Sequence, residues 1–271
     1  MTDTPGAAPH APTVPAVELS GVGRTFETRG QRRRVLRDVS LRIPARSIVA
    51  IIGASGSGKS TLLRLIGGLG KPSDGTVSID GTPVVAYDRR CAFAFQEPRL
   101  LPWRTVERNV AYGLPRSQDR EAGARRVREL LGLVGLADFA GHRPRQISGG
   151  MAQRTSLARA LARTPRVLLL DEPFGALDAL TRLRMHDLLL DVHAAEPTTV
   201  VFVTHDVDEA LVLADTIVVL GHDESSDEPG ATILRTVSPE QPRPRDHAHP
   251  EFVALRHELL AALGVHLHSE I

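Results

Sequence analysis

Of the 271 residues only one is cysteine, Cys91, so no internal disulfide can hold this fold. That usage is compatible with a reducing compartment. The expected role of Cys91 is a small buried residue in a strand with Phe93 and Phe95, ahead of any redox role. Long apolar runs are also lacking. None approaches the roughly 18 residues of a membrane-spanning helix, so a membrane path would have to come from another chain. Charge of one sign is not in excess either: the formal net charge is +1, which gives no support to a nucleic-acid-binding stripe, and no nucleic-acid partner is expected. Lysine is nearly missing. Lys59 and Lys71 are the two lysines among 33 basic side chains, so a lysine here marks a place where a compact ammonium serves and a planar guanidinium does not.

Lys59 lies in such a place. The apolar run Ser47 to Ile52 reads as a strand and enters Gly53-Ala54-Ser55-Gly56-Ser57-Gly58-Lys59-Ser60-Thr61, which fits G-x-x-x-x-G-K-[ST] with a helical stretch after it. The glycines let the main chain wrap phosphate oxygens, Lys59 adds a charge toward the outer phosphates, and the Ser60 hydroxyl suits Mg2+. A second anion site is expected further on. Ser148-Gly149-Gly150 opens a helix, where free N–H groups and the helix dipole favour phosphate. The run Val167 to Leu170 then reads as a strand buried on both faces, delivering Asp171 and Glu172 at its carboxyl edge. Two carboxylates there point to a metal and a base.

In this order the segments resemble the nucleotide-binding subunit of the ATP-binding cassette (ABC) transporters, over about Val17 to Gly221. The carrying residues are the phosphate loop Gly53 to Thr61, Gln96 in CAFAFQEPRLLPW, the signature ISGGM, VLLLDEP, GALD ending at Asp178, and His205 in VVFVTHD. Two positions depart from the family pattern. Ile147 stands for the usual leucine and keeps an apolar anchor; Met151 stands for the usual glutamine and lacks its amide. The resemblance implies an α/β fold, a P-loop NTPase cassette with a RecA-like core, an antiparallel β subdomain and a helical subdomain. It also implies ATP and Mg2+ as cofactors, with Ser60 and Asp171 toward the metal and Gln96 toward the metal or, as a catalytic residue, the attacking water. Glu172 is then expected to act on the attacking water and His205 to donate to the γ-phosphate. Phe26 is expected to stack on adenine, with core packing as the alternative for its ring. By the same resemblance Ser148, Gly149 and Gly150 meet ATP held by the opposite subunit of a homodimer, and Asp178 stands beside that site. Partners would be integral membrane permease subunits and, indirectly, a solute-binding protein, with the chain peripheral to the cytoplasmic face of the membrane. FQEPRLLPWRTVERNVAYGL and FVALRHELLAALG look most like the nitrate, sulfonate, taurine or bicarbonate importer branch. Alternatives are an ABC ATPase acting on DNA or ribosomes, although neither a long coiled-coil insertion nor a second cassette is present, and a small-molecule kinase, which would have no use for ISGGM or His205.

The expected organisation is a disordered N-terminal lead at 1–16, an ABC ATPase domain at 17–221 with its helical subdomain at about 98–164, and an extension with one strand and one helix at 222–271. Val127, Leu130, Leu131 and Val134 give the helical spacing in the middle part. Arg32, Arg33 and Arg34 read as a solvated loop between strands. HAHPE and GVHLHSEI lack the cysteine or carboxylate set of a metal site. Trp103, the single tryptophan, follows the Gln96 loop; docking to a membrane partner and core packing are both open for it.

Overall fold

The structure, a computed structural model, describes residues 16–28, 30–223 and 225–265. β1 (Val17–Thr28) and β2 (Gln31–Ile43) form an antiparallel hairpin, β3 (Ile48–Ile52) runs through the glycine loop into α1 (Lys59–Ile66), and β4 (Asp74–Ile79), β5 (Thr82–Pro83) and β6 (Cys91–Phe95) follow. The middle of the chain is helical, with α2 (Val106–Ala111), α3 (Arg120–Leu133) and α4 (Gly149–Leu161). Then come β7 (Val167–Asp171), α5 (Ala179–Ala195), β8 (Thr199–Thr204), α6 (Val207–Leu213), β9 (Thr216–Gly221), β10 (Thr232–Val237) and α7 (Pro250–Ala262). Two sheets result: a four-stranded antiparallel one ordered β2-β1-β4-β5, and a six-stranded one ordered β10-β9-β3-β8-β7-β6, parallel apart from β10 at its edge.

The unbroken apolar runs have a direct cause, because successive side chains of a strand serve opposite faces. Ile48, Ala50 and Ile52 of β3, Leu168 and Leu170 of β7, and Val200 and Phe202 of β8 pack into the core beneath the helices. Their neighbours Val49, Ile51, Val167, Leu169, Val201 and Val203 pack into a second core, shared with Leu62, Leu63, Leu65 and Ile66 of α1 and with Val17, Leu19, Val77 and Ile79 of the small sheet. α1 is therefore the filling between the two sheets. That placement fixes the phosphate loop, its N-terminal lead-in, against the edge of the large sheet.

The helical part follows from its caps and its apolar stripe. Thr105 caps α2 by accepting from the Arg108 N–H, and Asp119 caps α3 by accepting from the Glu121 and Ala122 N–H groups. Val127, Leu130, Leu131 and Val134 are all buried in the helical core. Arg126 joins both carboxylate oxygens of Glu196, just past α5, which ties α3 to the nucleotide core.

The arginine run looks different in three dimensions. Arg32 to Arg34 lie within β2 rather than in a loop, with Arg32 Nε 2.6 Å from Glu27 and Arg34 3.6 Å from Asp74. The residues after Gly221 are bound to the core by main-chain pairing, since β10 adds to β9. Arg245 is buried and donates to the carbonyls of Leu211 and Ala214, while Arg243 meets Asp215 at 2.5 Å. The lead expected at 1–16 lies outside the described residues except for Ala16, which is buried. His249 caps α7 and His247 packs its ring on Phe252, so the HAHPE histidines have structural partners. His266 and His268 lie outside the described residues. Among those that are described, no cluster of His, Cys, Asp and Glu side chains could hold a metal, and no helix is long and apolar enough to cross a membrane.

Cys91 opens β6 fully buried, and burial pushes its thiol up to about 12. Its titration sets a sign. Below pH 9 the thiol is neutral whether the chain is folded or not, whereas between about 9 and 12 only the unfolded chain ionises, so this group lowers stability as pH rises through that window. A thiol reagent at pH 8 is expected to leave the native chain untouched and to label one thiol per chain in concentrated guanidinium; fast labelling of the native protein would contradict the burial.

Candidate functional site

Strand register gathers the site. Phe95 pairs with Asp171 across β6 and β7, Asp171 with Val203 across β7 and β8, and Ile52 with Thr204 across β3 and β8. The residues immediately beyond, Gln96, Glu172, His205 and Gly53, therefore leave the sheet at one edge, the carboxyl edge where parallel sheets present ligand-binding loops. The side chains then converge. His205 Nδ1 lies 3.5 Å from Glu172 Oε2. A Cβ added to Gly175 would stand 3.2 Å from the Gln96 amide nitrogen and 3.6 Å from the same Glu172 oxygen, so Gln96 and Glu172 flank one small residue. Glu172 itself has φ +46, a left-handed conformation that a non-glycine residue adopts at a cost of order 1 kcal/mol, held here by its N–H to Val203 O at 3.0 Å.

The glycine loop requires its glycines for two distinct reasons. At Gly53 an added Cβ would fall 2.3 Å from the Leu220 carbonyl oxygen, a backbone atom of β9 that cannot step aside. At Gly56 there is open space, but φ is +81. Ser57, directly after Gly56, is buried in the loop. Lys59 begins α1 at 6 % exposure, and its ammonium donates to the carbonyls of Gly53 and Ala54 at 2.7 and 3.0 Å. Burial draws Lys59 below the ordinary lysine range, while the carboxylates of Glu172 and Asp171 oppose that shift. The Ser60 hydroxyl donates to Asp171 Oδ1 at 2.7 Å, which ties the first turn of α1 to the end of β7.

A cavity of about 890 Å³ opens over this loop, lined by Ser55, Gly56, Gly58, Lys59, Ser60, Thr61 and Glu172 on one side and by Phe26, Gln31, Arg33 and Val35 on the other. Its size suits a nucleotide. Phe26 is 41 % exposed on this wall, so core packing does not account for its ring; the Arg24 guanidinium lies 4.5 Å from the ring centroid. The donors also fit Mg2+, a hard ion that takes oxygen ligands: a hydroxyl and a carboxylate already stand within hydrogen-bond distance, with the Gln96 amide at the same sheet edge.

Ser148, Gly149, Gly150 and Asp178 do not line the cavity. Ser148 caps α4, its hydroxyl accepting from the Met151 N–H at 3.3 Å, and Gly149 and Gly150 form the first turn. Gly150 is small because α5 passes close by: a Cβ there would lie 2.6 Å from Thr181 Cγ2. Asp178 caps α5, and the main-chain N–H of Thr181 holds its carboxyl below the usual carboxylate range. Ile147 and Met151 pack against the helical core, so the thioether sits among apolar neighbours. α4 also supports the segment after Gln96, with Gln153 donating to Phe95 O and Arg159 to Pro98 O and Arg99 O.

The family described as ABC transporter matches residues 36–175. The chain is 48 % identical over 252 residues to the aliphatic sulfonates import ATP-binding protein SsuB 1 of Xanthomonas axonopodis pv. citri (strain 306), covering 91 % of this chain and 96 % of that one. This chain belongs to the ABC transporter ATP-binding family. A protein of the same SsuB name from Mycobacterium avium (strain 104) is 48 % identical over 271 residues, 98 % of this chain and 99 % of that one. Among solved structures, a dimeric post-hydrolysis state of the ATP-binding cassette MJ0796 bound to ADP and Pi superposes with a TM-score of 0.69 at 33 % identity, covering 82 % of this chain and 98 % of that one. The chain is thus an ABC ATPase that uses ATP and Mg2+, and the α/β cassette expected from the sequence is its fold.

Sequence reasoning missed Gln31, Arg33 and Val35 of this cassette's cavity. The missing step was hairpin register: Thr28 pairs with Gln31, which sets Phe26 opposite Arg33. Gly30, between the strand-like runs ending at Thr28 and beginning at Gln31, is the sequence signal that would have given it.

The two glycine constraints predict different losses. Gly56→Ala is expected to cost about 1–2 kcal/mol, the strain of a left-handed alanine. Gly53→Ala must displace β9 and is expected to cost more, about 3 kcal/mol or above. Equal denaturant midpoints for the two variants would contradict the close approach of Leu220.

Proposed function

We propose that this chain is the ATPase of an importer for aliphatic sulfonates, driving a separate membrane permease. The observation that carries the solute is the 48 % identity, over almost the whole chain, to proteins named for aliphatic sulfonate import. The cassette itself binds nucleotide, so its own cavity carries no sulfonate chemistry. Relatives named for aliphatic sulfonates favour that solute over nitrate, taurine or bicarbonate, and a transport cassette favours a permease over DNA or a ribosome as its partner. A solute-binding protein belongs to the proposal as an indirect partner, as does a position on the cytoplasmic face of the membrane.

In the proposed mechanism Phe26 stacks on the adenine, a contact worth about 1–3 kcal/mol by analogy with base stacking. The main chain of Gly53, Ala54, Ser55, Gly56, Ser57, Gly58, Lys59, Ser60 and Thr61 wraps the phosphates, with the Lys59 ammonium turned toward the outer ones. Ser60, Asp171 and Gln96 would hold Mg2+, which would neutralise charge on the phosphate oxygens. Glu172 accepts the proton of the attacking water, and His205, 3.5 Å away, orients that carboxylate and donates toward the γ-phosphate. Ser148, Gly149, Gly150 and Asp178 stand at the nucleotide of the opposite subunit. Two-fold symmetry uses each patch twice, which explains why one chain leaves them outside its own cavity.

The permease surface is proposed at Glu97 to Trp103. Asn109 is buried and holds this segment from below, accepting from the Leu101 N–H and donating to the carbonyls of Leu101, Arg104 and Thr105. Above that rigid support Trp103 is 68 % exposed, a free aromatic anchor of the kind that dominates interfaces.

Cells that lose this chain are expected to lose uptake of a radiolabelled alkanesulfonate and to regain it from the wild-type gene only. Glu172→Gln keeps shape but not basicity, so turnover should fall at least about 10²-fold with ATP binding preserved. Lys59→Ala should lose binding itself. Trp103→Ala should retain less permease on purification. Undiminished sulfonate uptake in the deletion strain would contradict the solute; wild-type hydrolysis by Glu172→Gln would contradict the catalytic assignment.

A further inference from the structure

A small polar network lies behind the cavity and takes no part in the mechanism above. Arg182, in the first turn of α5, is its centre. Its Nη2 donates to the Leu177 carbonyl at 3.3 Å, in the loop that ends at Asp178. Its Nη1 donates to Asp206 Oδ2 at 3.4 Å, and its Nε lies 3.7 Å from Glu209 Oε1, a charge contact rather than a hydrogen bond. Glu209 is only 4 % exposed, and its second oxygen accepts from the Thr204 hydroxyl at 2.6 Å. That hydroxyl in turn accepts from the Asp206 N–H at 3.0 Å. Thr204 immediately precedes His205, so donor and acceptor of one hydroxyl fix the turn on which His205 stands. His186 faces the same carboxylate at 3.8 Å, with its ring edge-on to Phe174, two residues past Glu172.

A buried carboxylate is costly unless charge and hydrogen bonds compensate it, and so a network of this kind tolerates few arrangements. We infer that Arg182 and Glu209 are positioning residues that lock the His205 turn to the Asp178 loop. Residue 181 extends the connection: Thr181 touches Gly150 at the start of the signature helix. The inference rests on the proposed mechanism, in which His205 serves the chain's own ATP while Ser148 to Gly150 and Asp178 serve the partner's. Arg182 then ties the groups facing one ATP to the groups facing the other. Closure around the partner's nucleotide and the placement of His205 become one movement.

The test uses full-length Arg182→Ala, Glu209→Gln, and the double variant Arg182→Leu/Glu209→Gln, with Thr204→Val and Thr204→Ser beside them. Measured are kcat and KM for MgATP, the Kd of a fluorescent ATP analogue, and the thermal midpoint. Positioning predicts that Arg182→Ala, Glu209→Gln and Thr204→Val each lose kcat at least about fivefold while KM and Kd stay within about twofold. Arg182→Ala, which leaves Glu209 without its counter-charge, should also melt earlier. The double variant should regain the thermal midpoint without regaining kcat, and Thr204→Ser should keep the turnover that Thr204→Val loses. Recovery of kcat together with the midpoint in the double variant would reduce the network to stability alone and overturn the inference. Wild-type turnover in Arg182→Ala and Glu209→Gln, or a matched loss of binding, would overturn it as well. Glu172→Gln measured alongside separates the two levels: if it still hydrolyses ATP the mechanism fails, whereas its silence next to an unaffected Arg182→Ala removes only the coupling.

Discussion

The 2.7 Å contact from the Ser60 hydroxyl to Asp171 is the join on which the rest of the site depends. It links the first turn of α1, which sets the phosphate loop, to the last residue of β7, which sets the carboxylates. Neither end moves freely. α1 is wedged between two sheets by Leu62, Leu63, Leu65 and Ile66, and β7 has apolar neighbours on both faces. The polar groups at the sheet edge thus inherit their geometry from packed hydrocarbon, the part of a protein least able to deform. Glu172 can hold an unfavourable φ because the strands on either side of it are already fixed.

The arrangement divides the cassette's polar groups into those that meet at the cavity and those that stand away from it. Phosphate loop, Asp171, Glu172, Gln96 and His205 meet at one edge, while the signature turn and Asp178 cap helices away from that cavity. The proposed two-fold dimer would bring the two sets together, and the solved cassette MJ0796 is dimeric. The chain after Gly221 joins the cavity set from behind. Arg243 and Arg245 fasten it to the end of α6 and the start of β9, and Arg256 meets Asp208 at 2.8 Å, so it braces the helix that follows His205.

Much of this was legible in the sequence because it depends on neighbours in the chain. Glycine spacing dictates where the main chain can approach phosphate, and the runs ending in Asp171 and Thr204 declare strands buried on both faces. What depends on register or on distant contacts was not legible. Arg33 reaches the cavity only because the hairpin register sets it opposite Phe26, and as one of three adjacent arginines it read as solvated loop. Arg182 and Glu209 are ordinary helix residues until α5 and α6 are packed together. Trp103 was ambiguous for a similar reason: an apolar ring in an apolar segment reads the same whether it is buried or presented, and only the support from Asn109 and the open surface decide it.

In the proposed mechanism Ser60 and Asp171 would seat the metal that binds the phosphates of ATP to the sheet edge. The direct measurement is ATP affinity with and without Mg2+, in the wild-type chain and in Asp171→Asn, in which an amide replaces the carboxylate. The account predicts that Mg2+ tightens ATP binding to the wild type by at least about tenfold, that Asp171→Asn loses most of this gain, and that metal-free affinity is nearly the same in both. If Mg2+ strengthened binding equally in the two proteins, Asp171 would not hold the ion and the account would be contradicted.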